Sequence, residues 1–186
     1  MRIVAGRHRG RVLVAPEGGD TRPTSDRARE ALFNILVHRY APDDFSLIDA
    51  RVLDLFAGTG ALGLEAYSRG AAHVTFVERA PIALAALAAN IRGIKADKAV
   101  AVLKADATHL PRAMVPCSLV LLDPPYAAGT AAAALASAAA AGWLRHGAVA
   151  VAETAASETP AWPEGFTVDD RRAYGKAALT FLRYAA

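Results

Sequence analysis

Val52-Leu53-Asp54-Leu55-Phe56-Ala57-Gly58-Thr59-Gly60-Ala61-Leu62-Gly63 decides the fold. Residues 52–55 read as a buried strand, and the glycines that follow make a tight turn into a helix expected over residues 61–69. Gly58, Gly60 and Gly63 stand at G-x-G-x-x-G spacing, the pattern of a strand–turn–helix unit that carries a nucleotide-bearing cofactor. The spacing alone does not say which cofactor.

Outward from this unit the chain alternates strands and helices. Strands are expected at residues 74–77, 100–103, 119–122 and 148–152. Helices are expected at residues 82–91, where Pro81 suits a first helical position, and across the alanine-dense stretch 127–141. Residues 166–171 and 177–183 flank Tyr174-Gly175-Lys176 and read as a hairpin. Before the glycine unit, residues 3–5 and 12–14 read as a hairpin whose tip, Gly6 to Gly10, lifts basic side chains off the body. Thr24-Ser25-Asp26 offers helix caps for residues 25–38. The expectation is an α/β protein with a doubly wound, seven-stranded, mostly parallel sheet. It adds an antiparallel C-terminal hairpin and a small N-terminal β-hairpin and helix extension.

Composition narrows the class. The 186 residues are 54% hydrophobic and 21% charged, enough for one good-sized core. Met1-Arg2 leads into glycine, histidine and arginine rather than an apolar leader, and the alanine-rich stretch after Pro124 and Pro125 is a poor membrane span. A cytoplasmic monomer with no membrane partner is expected. Cys117 is the single cysteine, which excludes a disulfide framework or a cysteine-based zinc cluster; it reads as a small buried residue, and no metal is expected. The formal charge of +3 is uneven. Residues 1–40 carry eight arginines against Glu17, Asp20, Asp26 and Glu30, a net +4 that leaves −1 for the rest. Arginine forks suit phosphate and base edges, so the N-terminal segment points to nucleic acid.

Acids recur where strands end: Asp54, Glu78, Asp106 and Asp123. Glu78 follows Gly58 by twenty residues, where an acid takes ribose hydroxyls. Asp54 would project a negative charge beside the glycine turn, which disfavours a pyrophosphate and favours a cofactor with a cationic amine. Asp106 suits an adenine amino group, with Ala107 leaving room for the ring. Asp123-Pro124-Pro125-Tyr126 ends the fourth strand with a carboxylate, two residues that lack N–H groups, and a flat ring. Those groups together suit a planar substrate bearing an NH2; by themselves they also fit a tight loop with Tyr126 as a packing residue.

The set VLDLFAGTG, Val77-Glu78, Asp106-Ala107 and DPPY resembles the class I S-adenosylmethionine-dependent methyltransferases, a Rossmann-like fold. The DPPY form resembles their amino-methylating branch. RIVAGRHRGRVL (2–13), TRPTSDRAREALFNIL (21–36) and YGKAALTFL (174–182) are similar to the RsmD-type 16S ribosomal RNA guanine-N2 methyltransferases. The resemblance spans nearly the whole chain; its weakest part is residues 154–165.

That resemblance implies S-adenosylmethionine as cofactor, held by Asp54, Phe56, Gly58, Gly60, Glu78, Arg79, Asp106 and Ala107. It implies methyl transfer to a guanine N2 of small-subunit ribosomal RNA in an assembled or assembling 30S particle, with Asp123, Pro124, Pro125 and Tyr126 as the catalytic loop. Arg7, Arg9, Arg11, Arg22, Pro23 and Thr24 would contact RNA. Residues 1–40 would form the RNA-contacting extension and 41–186 the methyltransferase domain. The rival readings are an NAD-dependent oxidoreductase, an adenine-N6 methyltransferase, a glutamine or protein N-methyltransferase, and a non-catalytic RNA-binding module. Arg171, Arg172 and Lys176 fit either an RNA face or a solvated one.

Overall fold

A computed structural model describes residues 1–15, 26–40, 44–125 and 129–185. Arg22, Pro23, Thr24, Ser25, Tyr126 and Ala127, named above, lie outside the described residues.

The strands are β1 (Arg51–Leu55), β2 (His73–Glu78), β3 (Val100–Lys104), β4 (Cys117–Leu122), β5 (Leu144–Ala155), β6 (Phe166–Tyr174) and β7 (Ala177–Tyr184). They form one sheet in the order β3-β2-β1-β4-β5-β7-β6. The first five strands along that order run parallel, and β7 is antiparallel to both β5 and β6. From β1 the chain builds outward to β3 and then returns to place β4 on the other side of β1. The order therefore reverses between β1 and β4, and open sheets of this kind place their ligands at the carboxyl ends of such a pair. The expected seven-stranded doubly wound sheet with its C-terminal hairpin is present.

Four helices join the described strands: α1 (Asp26–Arg39), α2 (Ala61–Ser68), α3 (Pro81–Gly93) and α4 (Thr130–Ala140). Strand side chains alternate between two cores. Val52, Val74, Phe76, Leu119 and Val149 pack with Leu64 of α2 and Leu87 and Ile91 of α3. Leu53, Leu55, Val120 and Leu122 pack on the other face with Ala131, Ala134, Leu135 and Ala138 of α4. There the alanines of α4 meet Ala148, Ala150 and Ala152 of β5, small residues on both surfaces. The first core also contains Ile3 and Leu13 and the Leu32, Phe33 and Leu36 stripe of α1, so the N-terminal segment shares the core of the sheet. The far end of α1 is tied down by Tyr40, whose hydroxyl donates to Asp169 Oδ2 at 3.1 Å.

Two expectations need correction. The N-terminal segment is not a regular hairpin: Arg2 and Val12 form an isolated bridge, supported by Ile3 N–H to Arg11 O at 2.9 Å and Leu13 N–H to Met1 O at 3.0 Å. Nor is its tip lifted off the body. Arg7 N–H donates to Ser68 O, and a Cβ on Gly6 would stand 1.9 Å from that same oxygen. The main chain near the tip bonds to α2 instead of to a partner strand. Elsewhere the differences are of length. Strand β5 runs through Arg145-His146-Gly147, which interrupts the apolar run, because Leu144 pairs with Cys117 and Ala155 with Ala177.

Among the described residues no helix is long and apolar enough to cross a membrane. Among the same residues no group of three or more histidine, cysteine or acidic side chains could hold a metal. Cys117 is buried, and that burial pushes its thiol up to about 11.

Candidate active site

The glycine turn at the end of β1 has positive φ at Phe56 (59°), Gly58 (56°) and Gly60 (80°). Gly60 is the N-cap of α2, and a Cβ there would stand 2.4 Å from Leu87 Cδ1. A Cβ on Gly63 would stand 2.4 Å from the Phe76 ring and 2.8 Å from Asp54 Oδ2. The third glycine thus lets α2 lie directly on β1 and β2, a packing role that the spacing alone leaves unspecified.

Two N–H groups of this turn and helix start are taken by the protein's own acids. Gly63 N–H donates to Asp54 Oδ2 at 2.8 Å, and Gly58 N–H donates to Glu78 Oε2 at 2.9 Å. Glu78 Oε1 also accepts from Arg79 N–H (2.7 Å) and Ala80 N–H (2.8 Å), the two amides that lead into α3. Donors that would cradle a pyrophosphate are therefore already engaged with carboxylates, which opposes the dinucleotide reading. Oε1 is filled by its two donors, while Oε2 keeps one lone pair for another hydroxyl.

Asp54 is 1% exposed. Burial pushes its carboxyl up to about 7; the Gly63 N–H opposes that rise, and the charges of Asp123 and Glu78 add to it. The expectation of a charge projecting beside the turn is corrected accordingly. Asp54 is an interior carboxyl balanced between its neutral and ionised forms near neutral pH. The charges of Glu78 and Asp123 act on Asp54, so acids from the ends of β1, β2 and β4 lie near one another at the point where strand order reverses.

Asp106 follows β3. Its Oδ1 accepts from Thr108 N–H (2.9 Å) and the Thr108 hydroxyl (2.7 Å), bonds that hold its carboxyl below the usual carboxylate range. Arg79 donates to Asp106 Oδ2 at 2.8 Å, joining the ends of β2 and β3. Ala107 beside it is buried. Asp123 is the first residue after β4; it is half-buried, Pro124 is buried and Pro125 exposed.

The β6–β7 turn lies at this same edge, because Ala177 pairs with Ala155 at the carboxyl end of β5. Arg171, left open by the sequence, donates to Ala156 O (3.0 Å) and Glu158 O (2.8 Å), and Glu158 Oε1 accepts from Gly129 N–H at 3.1 Å. Arg171 therefore braces the connection that holds the entry to α4. Arg172 pairs with Asp170 at 2.9 Å, and Lys176 O accepts from Ala156 N–H at 2.8 Å.

The basic residues divide. The Arg7 guanidinium lies 3.9 Å from the Tyr67 ring centroid and donates to Tyr67 O. Tyr67 belongs to the last turn of α2, the end remote from the glycine turn. Arg11 lies against the last turn of α3, where its Nη2 would be 3.2 Å from a Cβ on Gly93. Arg9 joins Arg2 and Arg27 in a cleft of about 430 Å³ between the N-terminal segment and α1, with Asp26 and Glu30 also in its wall.

Sequence reasoning missed three polar residues of this architecture. Glu65, fully buried, accepts from Val4 N–H (2.7 Å) and Ala5 N–H (3.0 Å) and pairs with Arg69 (2.7 Å) and the buried Arg29 (3.7 Å). Ser68 donates to Ala5 O at 2.6 Å and accepts from His8 N–H at 3.0 Å. Asn90 bonds both Val14 and Thr59. Each is a polar residue within an otherwise apolar helical stretch, and that was the signal available.

The chain matches the family described as conserved hypothetical protein 95 over residues 1–183. It is 42% identical over 129 residues to ribosomal RNA small subunit methyltransferase D of Escherichia coli strain K12. That alignment covers 69% of this chain and 62% of the relative, so less than two thirds of the relative's length is matched. The Haemophilus influenzae protein of the same name is 33% identical over 172 residues, covering 90% of this chain and 86% of the relative. A solved structure of a putative methyltransferase from Escherichia coli superposes with a TM-score of 0.85 at 33% identity, covering 100% of this chain and 98% of that one.

Proposed function

The chain belongs to the family described as conserved hypothetical protein 95, which holds the RsmD-type class I methyltransferases, and from that premise we propose its reaction. It transfers a methyl group from S-adenosylmethionine to the exocyclic N2 of a guanine in 16S ribosomal RNA, within an assembled or assembling 30S particle. The observation that carries this reading is the group of acids at the β1/β4 reversal. Glu78 and Asp123 stand close enough there for their charges to act on Asp54, and the Gly58 and Gly63 N–H groups are already bonded to carboxylates.

The residues present fit the cofactor. Glu78 retains an acceptor position for a ribose hydroxyl, the Asp106-Ala107 pair suits adenine, and Asp54 gains stability as an anion when a cationic amine lies beside it. Phe56, Gly58, Gly60 and Arg79 complete the set. When bound, S-adenosylmethionine supplies an electrophilic methyl group on sulfonium.

The chain's part is to prepare the nucleophile. The amine of guanine is weak because its lone pair is delocalised into the ring. Acceptance of its two N–H bonds by the Asp123 carboxylate and the Pro124 carbonyl favours a pyramidal nitrogen and localises that pair. Pro125 stiffens the loop, and Tyr126 stacks on the extruded base, contributing roughly 1–3 kcal/mol. Much of the rate comes from holding the amine in line. The proton becomes acidic only after methylation and leaves to Asp123 or to water.

Residues 1–40 act as the RNA-contacting part and 41–186 as the methyltransferase part, a division of labour within one shared core. Arg9 and Arg11 suit phosphate contacts, and Arg22, Pro23 and Thr24 contact the RNA near the target base. Arg7 keeps donors on its exposed side. A ribosomal substrate implies a cytoplasmic location, and a monomer suffices because one chain supplies every site residue. The test is label transfer from S-adenosylmethionine to small-subunit particles, naked ribosomal RNA and duplex DNA. Transfer to guanine N2 of particles is expected, and binding of NADH in place of S-adenosylmethionine would defeat the reading.

A further inference from the structure

Asn90 is 3% exposed and lies at the start of the last turn of α3. Its Oδ1 accepts from Val14 N–H at 2.7 Å. Its Nδ2 donates to Val14 O at 3.1 Å and to Thr59 O at 2.9 Å. The first two bonds treat Val14 as a neighbouring strand would, taking its N–H and its C=O together. The third reaches the middle residue of the Gly58-Thr59-Gly60 turn. A carboxamide has two donors and two acceptor positions, so three of the four are used, and both donors are spent.

The turn is therefore held from two sides. From the end of β2, Glu78 accepts the Gly58 N–H. From the outer side, Asn90 holds the Thr59 carbonyl, and through the same amide group it holds the N-terminal segment. Thr59 and Val14 lie 45 residues apart in sequence, and neither Val14 nor Thr59 is joined to the other directly by any bond described. A buried amide with both donors committed has no alternative partner, so loss of one bond leaves a polar group unsatisfied and disturbs the others.

We propose that Asn90 is a positioning residue through which the docking of the N-terminal segment sets the cofactor affinity of the glycine turn. The proposal rests on the reading that this turn binds S-adenosylmethionine. Its consequence is reciprocal: cofactor binding at the turn must steady the N-terminal segment by the same factor. A chain whose N-terminal segment carries the substrate contacts then has its two binding functions linked through Asn90, beside the longer contact of the Thr59 hydroxyl with Met1 Sδ at 3.9 Å.

The experiment uses S-adenosylhomocysteine as probe. Its dissociation constant is measured by calorimetry for the wild type, Asn90→Ala and Asn90→Asp, and amide hydrogen exchange over residues 1–15 is followed with and without the probe. Asn90→Asp keeps the volume and the acceptor for Val14 N–H but removes both donors. Both variants are expected to bind roughly tenfold more weakly, the effect of one buried hydrogen bond. In the wild type the probe slows exchange in residues 10–15, and in the variants that response disappears. Should the Asn90 variants fail to fold, Val14→Pro removes the N–H while leaving α3 intact, and it is expected to weaken binding in the same direction. Folded variants that bind the probe as the wild type does would overturn the proposal, as would a wild type whose N-terminal exchange ignores a bound probe. A wild type that does not bind the probe at all removes the cofactor reading itself, and the proposal with it.

Discussion

Asp54 combines near-complete burial with a carboxyl pushed up to about 7, and two measurable consequences follow from that combination. The first concerns stability. Native Asp54 holds its proton up to about pH 7, whereas in the unfolded chain it releases it near 3.8, so the native state binds more protons between those values. Stability from this group is full at acid pH and falls as pH rises toward 7. Between pH 5 and pH 8 the loss is about 2–3 kcal/mol. Asn in place of Asp54 should remove that loss, so urea unfolding at the two pH values should show the gap between Asp54→Asn and wild type shifting by this amount in favour of the variant at pH 8. The second concerns binding. An amine cation beside Asp54 favours its ionised form, so S-adenosylmethionine should bind more tightly as pH rises through about 7 and release a proton on binding below it. Calorimetry in buffers of different ionisation enthalpy detects that proton. Asp54, Glu78, Asp106 and Asp123 were legible in the sequence because an acid directly after an apolar run is a local signal. Glu65 and Asn90 were not, because their partners are backbone groups 60, 61 and 76 positions away.

At the scale of elements, α2 is the piece on which most depends. Its first turn carries the glycine cradle, its middle the buried Glu65, and its last turn the docked N-terminal tip. Gly63→Ala puts a methyl within 3.0 Å of Phe76, Asp54 and Val74, and overpacking of this kind costs about 1–3 kcal/mol. A thermal melt should fall by several degrees, with cofactor affinity falling alongside because Asp54 is displaced. Glu65→Gln removes the charge that faces the fully buried Arg29, leaving Asp26 as its only carboxylate partner among the described residues. A loss of about 3 kcal/mol in urea unfolding is expected. The alternation of strands and helices was readable, and with right-handed crossovers it leads to the observed strand order. Strand lengths were not: the ends of β5 are set by pairing with β4 and β7, not by its own apolar pattern. The expected N-terminal hairpin is reduced to one antiparallel bridge for a similar reason, since Glu65 and Ser68 compete for the main-chain groups that a longer pairing would take.

Across the whole molecule, charge is separated from chemistry. The acids gather at the carboxyl ends of the parallel strands, whereas Arg2, Arg9 and Arg27 share a cleft beside α1. Phosphate contacts, proposed for the N-terminal arginines, add affinity and salt dependence without choosing a sequence. Alanine at Arg9 or at Arg27 should weaken RNA binding and lower the slope of log K against log salt by about 1 each, with little change in S-adenosylhomocysteine binding. A filter-binding titration across salt concentrations measures both. The sequence foresaw a basic N-terminal surface; it could not foresee that Arg27 of a helix and Arg9 of a loop would line one cleft, since only their shared packing brings them together.

The reaction proposed for Asp123 and its loop is methylation of guanine N2 on the small ribosomal subunit. It is tested most directly with tritiated S-adenosylmethionine and unmethylated small-subunit particles, comparing wild type with Asp123→Ala and identifying the labelled nucleoside by chromatography. The wild type should label N2-methylguanosine in 16S ribosomal RNA, and Asp123→Ala should lose at least about 100-fold in rate while still binding S-adenosylhomocysteine. Transfer by Asp123→Ala at the wild-type rate, or label recovered on adenine N6 instead, would contradict the account.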